Sequence, residues 1–151
     1  MRYKFEDIVD KYYKDVYRFV FMMVKNRDDA DDITQETFLK VRRYLWKFKG
    51  NSSVLTWIYR IATNEVKKSF KKNNRSLKLA KITNTEENAP YDDLKDAMEK
   101  LDRESYEILF LKYFKNMSEK EIAFIVNVPE GTVKSRLFNA KKKLKEIIKS
   151  E

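Results

Sequence analysis

Residues 117–145 read MSEKEIAFIVNVPEGTVKSRLFNAKKKLK. Ser118 and Glu121, three residues apart, form a capping box that starts a helix. Ile122, Ala123 and Val126 form the inward stripe of that helix, and Ala123 suits a close approach of two helices. Asn127 falls where the helix must end, and Asn tolerates the left-handed conformation better than any residue but glycine. Pro129 and Gly131 complete the break. A second helix runs from about Glu130, with Val133, Leu137, Ala140, Leu144 and Ile147 or Ile148 facing inward. This is helix-turn-helix spacing. The outer face of the second helix carries Thr132, Lys134, Ser135, Phe138, Asn139, Lys141, Lys142 and Lys145. Hydroxyls, a lysine and an amide near its N-terminal half are the groups such a helix inserts into the major groove. Phe138, off the apolar stripe, can meet a thymine methyl group. The bland alternative is a solvated, lysine-rich helix with Phe138 as a satellite core residue.

Upstream, the same helical period recurs. Leu94, Ala97, Met98 and Leu101 mark one helix, and Ile108, Leu109, Leu111 and Tyr113 mark another. Before them, KKNNRSLKLAKITNTEENAPYDD is polar, rich in Asn and weakly periodic. It reads as a flexible linker over residues 72–92, with a residual turn around Leu77–Ile82. The N-terminal part is strongly helical. Phe5, Ile8, Val9, Tyr12, Val16, Phe19, Val20, Met23 and Val24 make one stripe. A second helix opens within Asn26–Asp29 and buries Ile33, Thr37, Phe38, Val41 and Leu45. A break at KGNSS (49–53) follows. Ser52 or Ser53 then caps a third helix with Val54, Trp57 or Ile58, Ile61, Ala62, Val66 and Phe70 inward. The fold class is all-α: two small helical domains, 1–71 and 93–151, on either side of the linker.

Composition narrows the chemistry. The chain has 151 residues, with two Gly, two Pro, no Cys and no His. So few turn residues argue against a β-sandwich or barrel. There is no disulfide framework, thiol nucleophile, imidazole base or zinc–histidine cluster, and no glycine-rich phosphate loop. Neither a cofactor nor a small-molecule substrate is implied. The N-terminal MRYKFEDIVDKYYKD is charged throughout and is no signal-peptide core, which points to a cytoplasmic protein. With 33 Lys+Arg against 24 Asp+Glu, the net charge is +9, which suits a polyanionic partner. The charge is also segregated. Residues 28–36 hold five acids and no base, and residues 40–72 hold ten bases and one acid. Residues 94–131 are net acidic, and residues 132–149 hold seven bases and one acid. Two separate basic blocks suit two contacts along one polyanion.

Asp28-Asp29-Ala30-Asp31-Asp32 matches the DDxxD pattern that binds magnesium-diphosphate in isoprenyl synthases. Paired carboxylates are good ligands for hard cations. Such enzymes need a larger helical cavity and a second acidic cluster, and the sequence has neither. Acids in the first turn of a helix account for the run more simply.

Residues 28–64, DDADDITQETFLKVRRYLWKFKGNSSVLTWIYRIATN, resemble region 2 of bacterial RNA polymerase sigma factors of the extracytoplasmic-function (ECF) group. Residues 94–144, LKDAMEKLDRESYEILFLKYFKNMSEKEIAFIVNVPEGTVKSRLFNAKKKL, resemble their region 4. ADDITQETFLK and GTVKSRL are the most specific signals, and the order and spacing of the two regions fit the group. The resemblance implies that the helix over 31–44 docks on core RNA polymerase, with Asp31, Asp32, Gln35, Glu36, Phe38, Lys40 and Arg43 as its face. It implies that Trp46, Lys47, Phe48, Asn51, Ser52 and Ser53 capture a flipped base of melted −10 promoter DNA, a role that aromatics, amides and hydroxyls suit. Asn64, Lys67 and Lys68 would hold adjacent phosphates or bases. Thr132, Lys134, Ser135, Phe138, Asn139 and Lys142 would read the duplex −35 element. It further implies an anti-sigma factor as partner, often membrane-anchored in this group. Two positions depart from the common pattern: many members carry glycine at the place of Asn127 and arginine at the place of Asn139. The competing reading from another class is a stand-alone helix-turn-helix repressor that binds its operator without polymerase.

Overall fold

The structure is a computed structural model that describes residues 3–72 and 92–150. All regular structure among the described residues is helical. The chain divides into two compact units, Met1–Ala80 and Lys81–Glu151. The expected linker, apart from its end residues Lys72 and Asp92, and the turn at 77–82 lie outside the described residues. No described helix is long and apolar enough to cross a membrane.

The N-terminal unit packs α1 (Phe5–Val24), α2 (Arg27–Tyr44) and α3 (Val54–Lys72) against one another. Ile8, Val16, Phe19, Val20, Met23 and Val24 form the buried stripe of α1. Lys25 ends the helix in the left-handed conformation, with its N–H bonded to the Phe21 carbonyl. Asn26 immediately starts α2, its Oδ1 accepting the Asp29 N–H at 2.8 Å. This cap satisfies one of the orphan donors of a helix start. Asp28 and Asp29 lie in the first turn, where the dipole favours acids. Among the described residues, no group of three or more carboxylates converges to hold a metal ion.

α3 buries Val54, Ile58, Ala62 and Val66 as the periodicity predicts, and adds Thr56, Tyr59 and Thr63. Of the two alternatives for its inner face, Ile58 is the fully buried one, while Trp57 is half-buried. Tyr59 meets Phe19 edge to face, ring centroids 4.8 Å apart. Burial, reinforced by Asp15, pushes the Tyr59 phenol well above its ordinary value. Each such buried aliphatic or aromatic side chain contributes roughly 1.5–3 kcal/mol of transfer free energy.

The C-terminal unit comprises α4 (Asp92–Glu99), α5 (Arg103–Leu109), α6 (Glu119–Val126) and α7 (Glu130–Lys149), with α7 touching the other three. Asp102 caps α5, its Oδ2 accepting the Ser105 N–H at 3.3 Å. After Leu109 the helix widens into a π turn, Phe110–Phe114, marked by Lys115 N–H to Phe110 O at 3.1 Å. A π turn inserts one residue and rotates the side chains beyond it about the helix axis. Tyr113, one of the residues that mark this helix in the sequence, is exposed, as is Phe114. Met117 N–H then bonds Leu111 O at 3.1 Å, and Asn116 adopts φ 52°.

The helix-turn-helix forms as its local signals predict. Ser118 Oγ accepts the Glu121 N–H at 3.0 Å, and the Glu121 carboxylate accepts the Ser118 N–H at 2.9 Å. Asn127 takes φ 60° and ψ 51° and closes α6. Ile122, Ile125 and Val126 are buried, while Ala123 is half-buried. Val133, Leu137 and Ala140 anchor α7, and Ile147 lies further in than Ile148.

Candidate nucleic-acid interface

Helix α2 sorts its residues by turn angle. Asp31, Asp32 and Gln35 are exposed and Glu36 is half-buried, so these four share one outer face. Leu39, one turn further on, is also exposed and puts an apolar spot beside the acids; the sequence reading missed it. Arg43 is exposed and lies over the Tyr44 ring at 5.9 Å. Asp31 also faces α1. Burial first, and the Asp31 charge second, raise the phenols of Tyr13 and Tyr17.

Two members of the expected docking face are corrected. Phe38 is only 4% exposed, its ring against Tyr13 at 5.1 Å. It follows Thr34 by four residues and precedes Val41 by three, so it belongs to the buried stripe and cannot meet a partner. Lys40 points towards α3. Its Nζ donates to Glu65 Oε2 at 2.5 Å, and that hydrogen bond raises the Lys40 ammonium above its ordinary value. Lys40 therefore joins α2 to α3 instead of standing free for a partner.

The segment after α2 divides into presenting and supporting residues. A single 3-10 turn, Leu45–Lys47, lifts Trp46 into solvent at 78% exposure. Lys47 Nζ lies over the rings of both Tyr44 and Trp46, at 5.6 and 5.3 Å. Tyr44 thereby joins the group; nothing in the local sequence distinguished it. Phe48 is half-buried between Trp57, at 5.0 Å, and the edge of Tyr3, at 5.9 Å. Gly50 takes φ 79°, a left-handed turn that suits glycine. Asn51 is exposed, and Ser52 Oγ donates to the Ser53 carbonyl at 3.1 Å.

Of the two serines considered as caps, Ser53 takes the role. Its hydroxyl accepts the Thr56 N–H at 3.1 Å and donates to Thr56 Oγ1 at 2.9 Å. That use engages the Ser53 donor and one of its two lone pairs. On α3, Asn64 is exposed, Lys67 half-buried, and Lys68 exposed but 3.4 Å from Glu65. Arg60 and Lys71 share this face by helical spacing and were not singled out from sequence.

In the C-terminal unit, α7 separates its faces cleanly. Lys134, Ser135, Phe138, Asn139 and Lys142 are exposed and Thr132 is half-buried, opposite Val133, Leu137 and Ala140. Phe138 is 68% exposed, so the satellite-core alternative for it does not hold. Ser135 Oγ donates back to the Thr132 carbonyl at 3.2 Å, leaving its oxygen able to accept. At the rim, Lys141 Nζ lies 5.7 Å from the Tyr113 ring. Lys143 ties α7 to the start of α5 through Asp102 Oδ1 at 3.1 Å.

A helix-turn-helix with a basic outer face in one unit, and an aromatic, cationic loop followed by a basic helix in the other, are the surfaces of a two-domain nucleic-acid-binding protein. Comparison with known proteins agrees. Residues 8–76 match the family model Sigma-70 region 2, and residues 91–144 match Sigma-70, region 4. The chain is 31% identical to the ECF RNA polymerase sigma factor SigW of Bacillus subtilis (strain 168), over 94% of this chain and 87% of that one. It is 29% identical to SigM of the same organism, over 94% and 93%. Among solved structures, it resembles the sigma factor RpoE in complex with the anti-sigma factor NepR from Bartonella quintana. That likeness has a TM-score of 0.77 at 23% identity and covers 96% of each chain. CnrH in complex with the cytosolic domain of CnrY gives a TM-score of 0.70 at 22% identity, over 97% of this chain and 88% of that one. These last two likenesses concern the fold. The chain belongs to the ECF family of RNA polymerase sigma factors.

Proposed function

We propose that this chain is a dissociable sigma subunit: it binds core RNA polymerase and selects promoters through −10 and −35 elements. The N-terminal unit docks on polymerase through the outer face of α2, with Asp31, Asp32, Gln35, Glu36, Leu39 and Arg43. It captures melted −10 DNA through Trp46, Lys47, Asn51 and Ser52, with Asn64, Lys67 and Lys68 following the backbone. The C-terminal unit reads the −35 duplex through α7. The observation that carries this reading is the exposed row Lys134, Ser135, Phe138 and Asn139, in a chain that matches both sigma regions.

The chemistry asked of the chain is binding. Sigma factors are not enzymes; the polymerase catalyses nucleotide transfer. Promoter opening follows when bases that have left the stack are held on an aromatic and amide surface, so capture shifts the duplex equilibrium towards melted DNA. Charge on α2 sets orientation and encounter rate on the polymerase more than final affinity. An anti-sigma factor is the regulatory partner this family implies. Nothing observed favours the stand-alone repressor.

The test is run-off transcription with purified core enzyme on a genomic fragment library. Defined start sites that appear only with the chain added support the proposal. A chain that footprints an operator unaided and directs no initiation overturns it. On selected promoters, Lys134→Ala and Ser135→Ala should each cost about 1–3 kcal/mol of −35-dependent binding if the contact is bidentate, less if single. Equal activity on scrambled −35 elements would reject that role for α7.

A further inference from the structure

Glu119 is the first residue of α6, directly after the Ser118 cap. An acid at that position suits the positive end of the helix dipole. Its side chain does something further. Oε1 lies 3.9 Å from Lys134 Nζ, and Oε2 lies 3.9 Å from Lys112 Nζ. Lys112 comes from the π turn and Lys134 from the DNA-facing side of α7. One carboxylate therefore stands between two cations from two other elements, at the edge of the surface that meets DNA. Lys134 is 66% exposed, whereas Glu119 and Lys112 are each about one-third exposed; both contacts are longer than a hydrogen bond, so the pairs contribute little to folding. The capping box of Ser118 and Glu121 already fixes the start of α6. What remains for Glu119 is an electrostatic effect on the DNA partner.

We infer that Glu119 is a specificity-determining positioning residue for the −35 element. It directs Lys134 and withholds the charge of Lys112 and Lys134 from indiscriminate phosphate binding. The inference rests on the reading of α7 as the −35 helix. Non-specific association with DNA is almost wholly electrostatic. A fixed carboxylate between two ammonium groups cancels part of the field that any phosphate feels, whatever the sequence. Specific docking draws in addition on base-edge contacts, for which Lys134 needs direction more than net charge. The carboxylate thus weakens non-specific binding more than specific binding, and discrimination rises.

The experiment uses the full-length chain and its holoenzyme. The probes are a short random-sequence duplex and promoter fragments that the wild-type holoenzyme recovers from a genomic library. Affinities are measured across a salt series for wild type, Glu119→Gln and Glu119→Asp. Glu119→Gln should bind the random duplex more tightly, by roughly five-fold for each lysine released. Its salt slope should steepen by about one to two, one for each added phosphate contact. Discrimination between selected and random DNA should fall, with the thermal midpoint lowered by no more than the small loss that a neutralised acid at a helix start entails. Glu119→Asp keeps the charge and should stay near wild type, which a purely steric role would not require.

An unchanged slope and unchanged discrimination in Glu119→Gln would overturn the inference. So would an altered base preference at one position without a change in slope, because Glu119 would then be reading a base itself. Lys134→Ala separates the two levels of argument. If Lys134→Ala leaves −35 discrimination intact, the reading of α7 fails and the inference fails with it. If Lys134→Ala reduces discrimination while Glu119→Gln does not, the inference alone fails.

Discussion

Glu65 in the N-terminal unit and Glu119 in the C-terminal unit each stand between two lysines. Glu65 is 9% exposed; it meets Lys40 across the α2–α3 seam and Lys68 on its own helix. Glu119 is about a third exposed and meets its lysines at the longer distance of 3.9 Å. Burial decides what each can do. A carboxylate out of water must keep its partners, so Glu65 fixes how α2 lies on α3. Glu119, partly exposed and 3.9 Å from each lysine, is bound to them more loosely. The same residue types thus sit in a buried seam in one unit and at a partly exposed surface in the other.

Apolar truncation should have the largest effect and sharpens the contrast in size between the units. Ile58 and Ile122 are both fully buried. Either residue changed to Ala should cost about 2–5 kcal/mol. The smaller C-terminal unit has less stability to lose. Ile122→Ala should therefore abolish amide-exchange protection across α5–α7, while Ile58→Ala lowers protection in α1–α3 without abolishing it. Equal residual protection in the two variants would break the contrast.

Lys40→Ala comes next. It removes the shorter of the two described Glu65 ion pairs and leaves the longer Lys68 contact, at a cost of about 2–3 kcal/mol in a denaturant titration. Lys40 carries a raised value, so the contribution of its charge is fully present below the ordinary lysine range. It is lost only as pH rises through the raised value, so the cost should be flat from pH 6 to 9. Glu119→Gln in the other unit should show no comparable loss. A Lys40→Ala cost below about 0.5 kcal/mol would mean that the seam behaves like a surface pair.

Trp46→Ala tests the aromatic side of the comparison. Trp46 stands on a turn and Phe138 on a helix, and both are largely exposed. A stacked base contributes about 1–3 kcal/mol, so Trp46→Ala should weaken binding to melted −10 strand by that amount while leaving −35 duplex binding unchanged. Loss of duplex binding instead would move Trp46 out of the single-strand role.

Much of this architecture was readable because its signals are local. The capping box at Ser118, the left-handed Asn127 and the Asn26 start of α2 each act within four residues. Phe38 carried a readable signal as well: its spacing to Thr34 and Val41 places it inside, and that spacing outweighs its place in a docking motif. Other features depend on partners distant in sequence. Lys40 and Glu65 are 25 residues apart, and neither residue alone signals the pair. Glu119 and Lys134 meet only because Asn127 folds α7 back on α6. The π turn at Phe110–Phe114 interrupts a regular apolar period with no glycine or proline to mark it, so the exposure of Tyr113 was not legible. The sequence therefore revealed which helices exist and which faces are apolar. Which charges pair across helices depended on the packing.

The smallest expected effect concerns Asp102, a surface counterpart to the buried Glu65 pairing. Partial burial alone would raise its carboxyl. Hydrogen bonds from Ser105 and Lys143, with the Lys143 charge, outweigh that and hold it below the ordinary carboxylate range. A carboxyl whose value is depressed on folding contributes stability above its unfolded value, about 4, and loses it as pH falls through the folded value. Asp102 is largely solvated, so screening limits the contribution to a few tenths of a kcal/mol. Asn is as good a helix cap as Asp, so Asp102→Asn keeps the bond from the Ser105 N–H and removes only the charge. Wild type should therefore lose slightly more stability between pH 7 and pH 3 than Asp102→Asn, read as a difference in urea midpoints. Identical midpoint shifts in both proteins would show that Lys143 does not hold α7 to the start of α5 through charge, and that the geometry of the cap alone sets that joint.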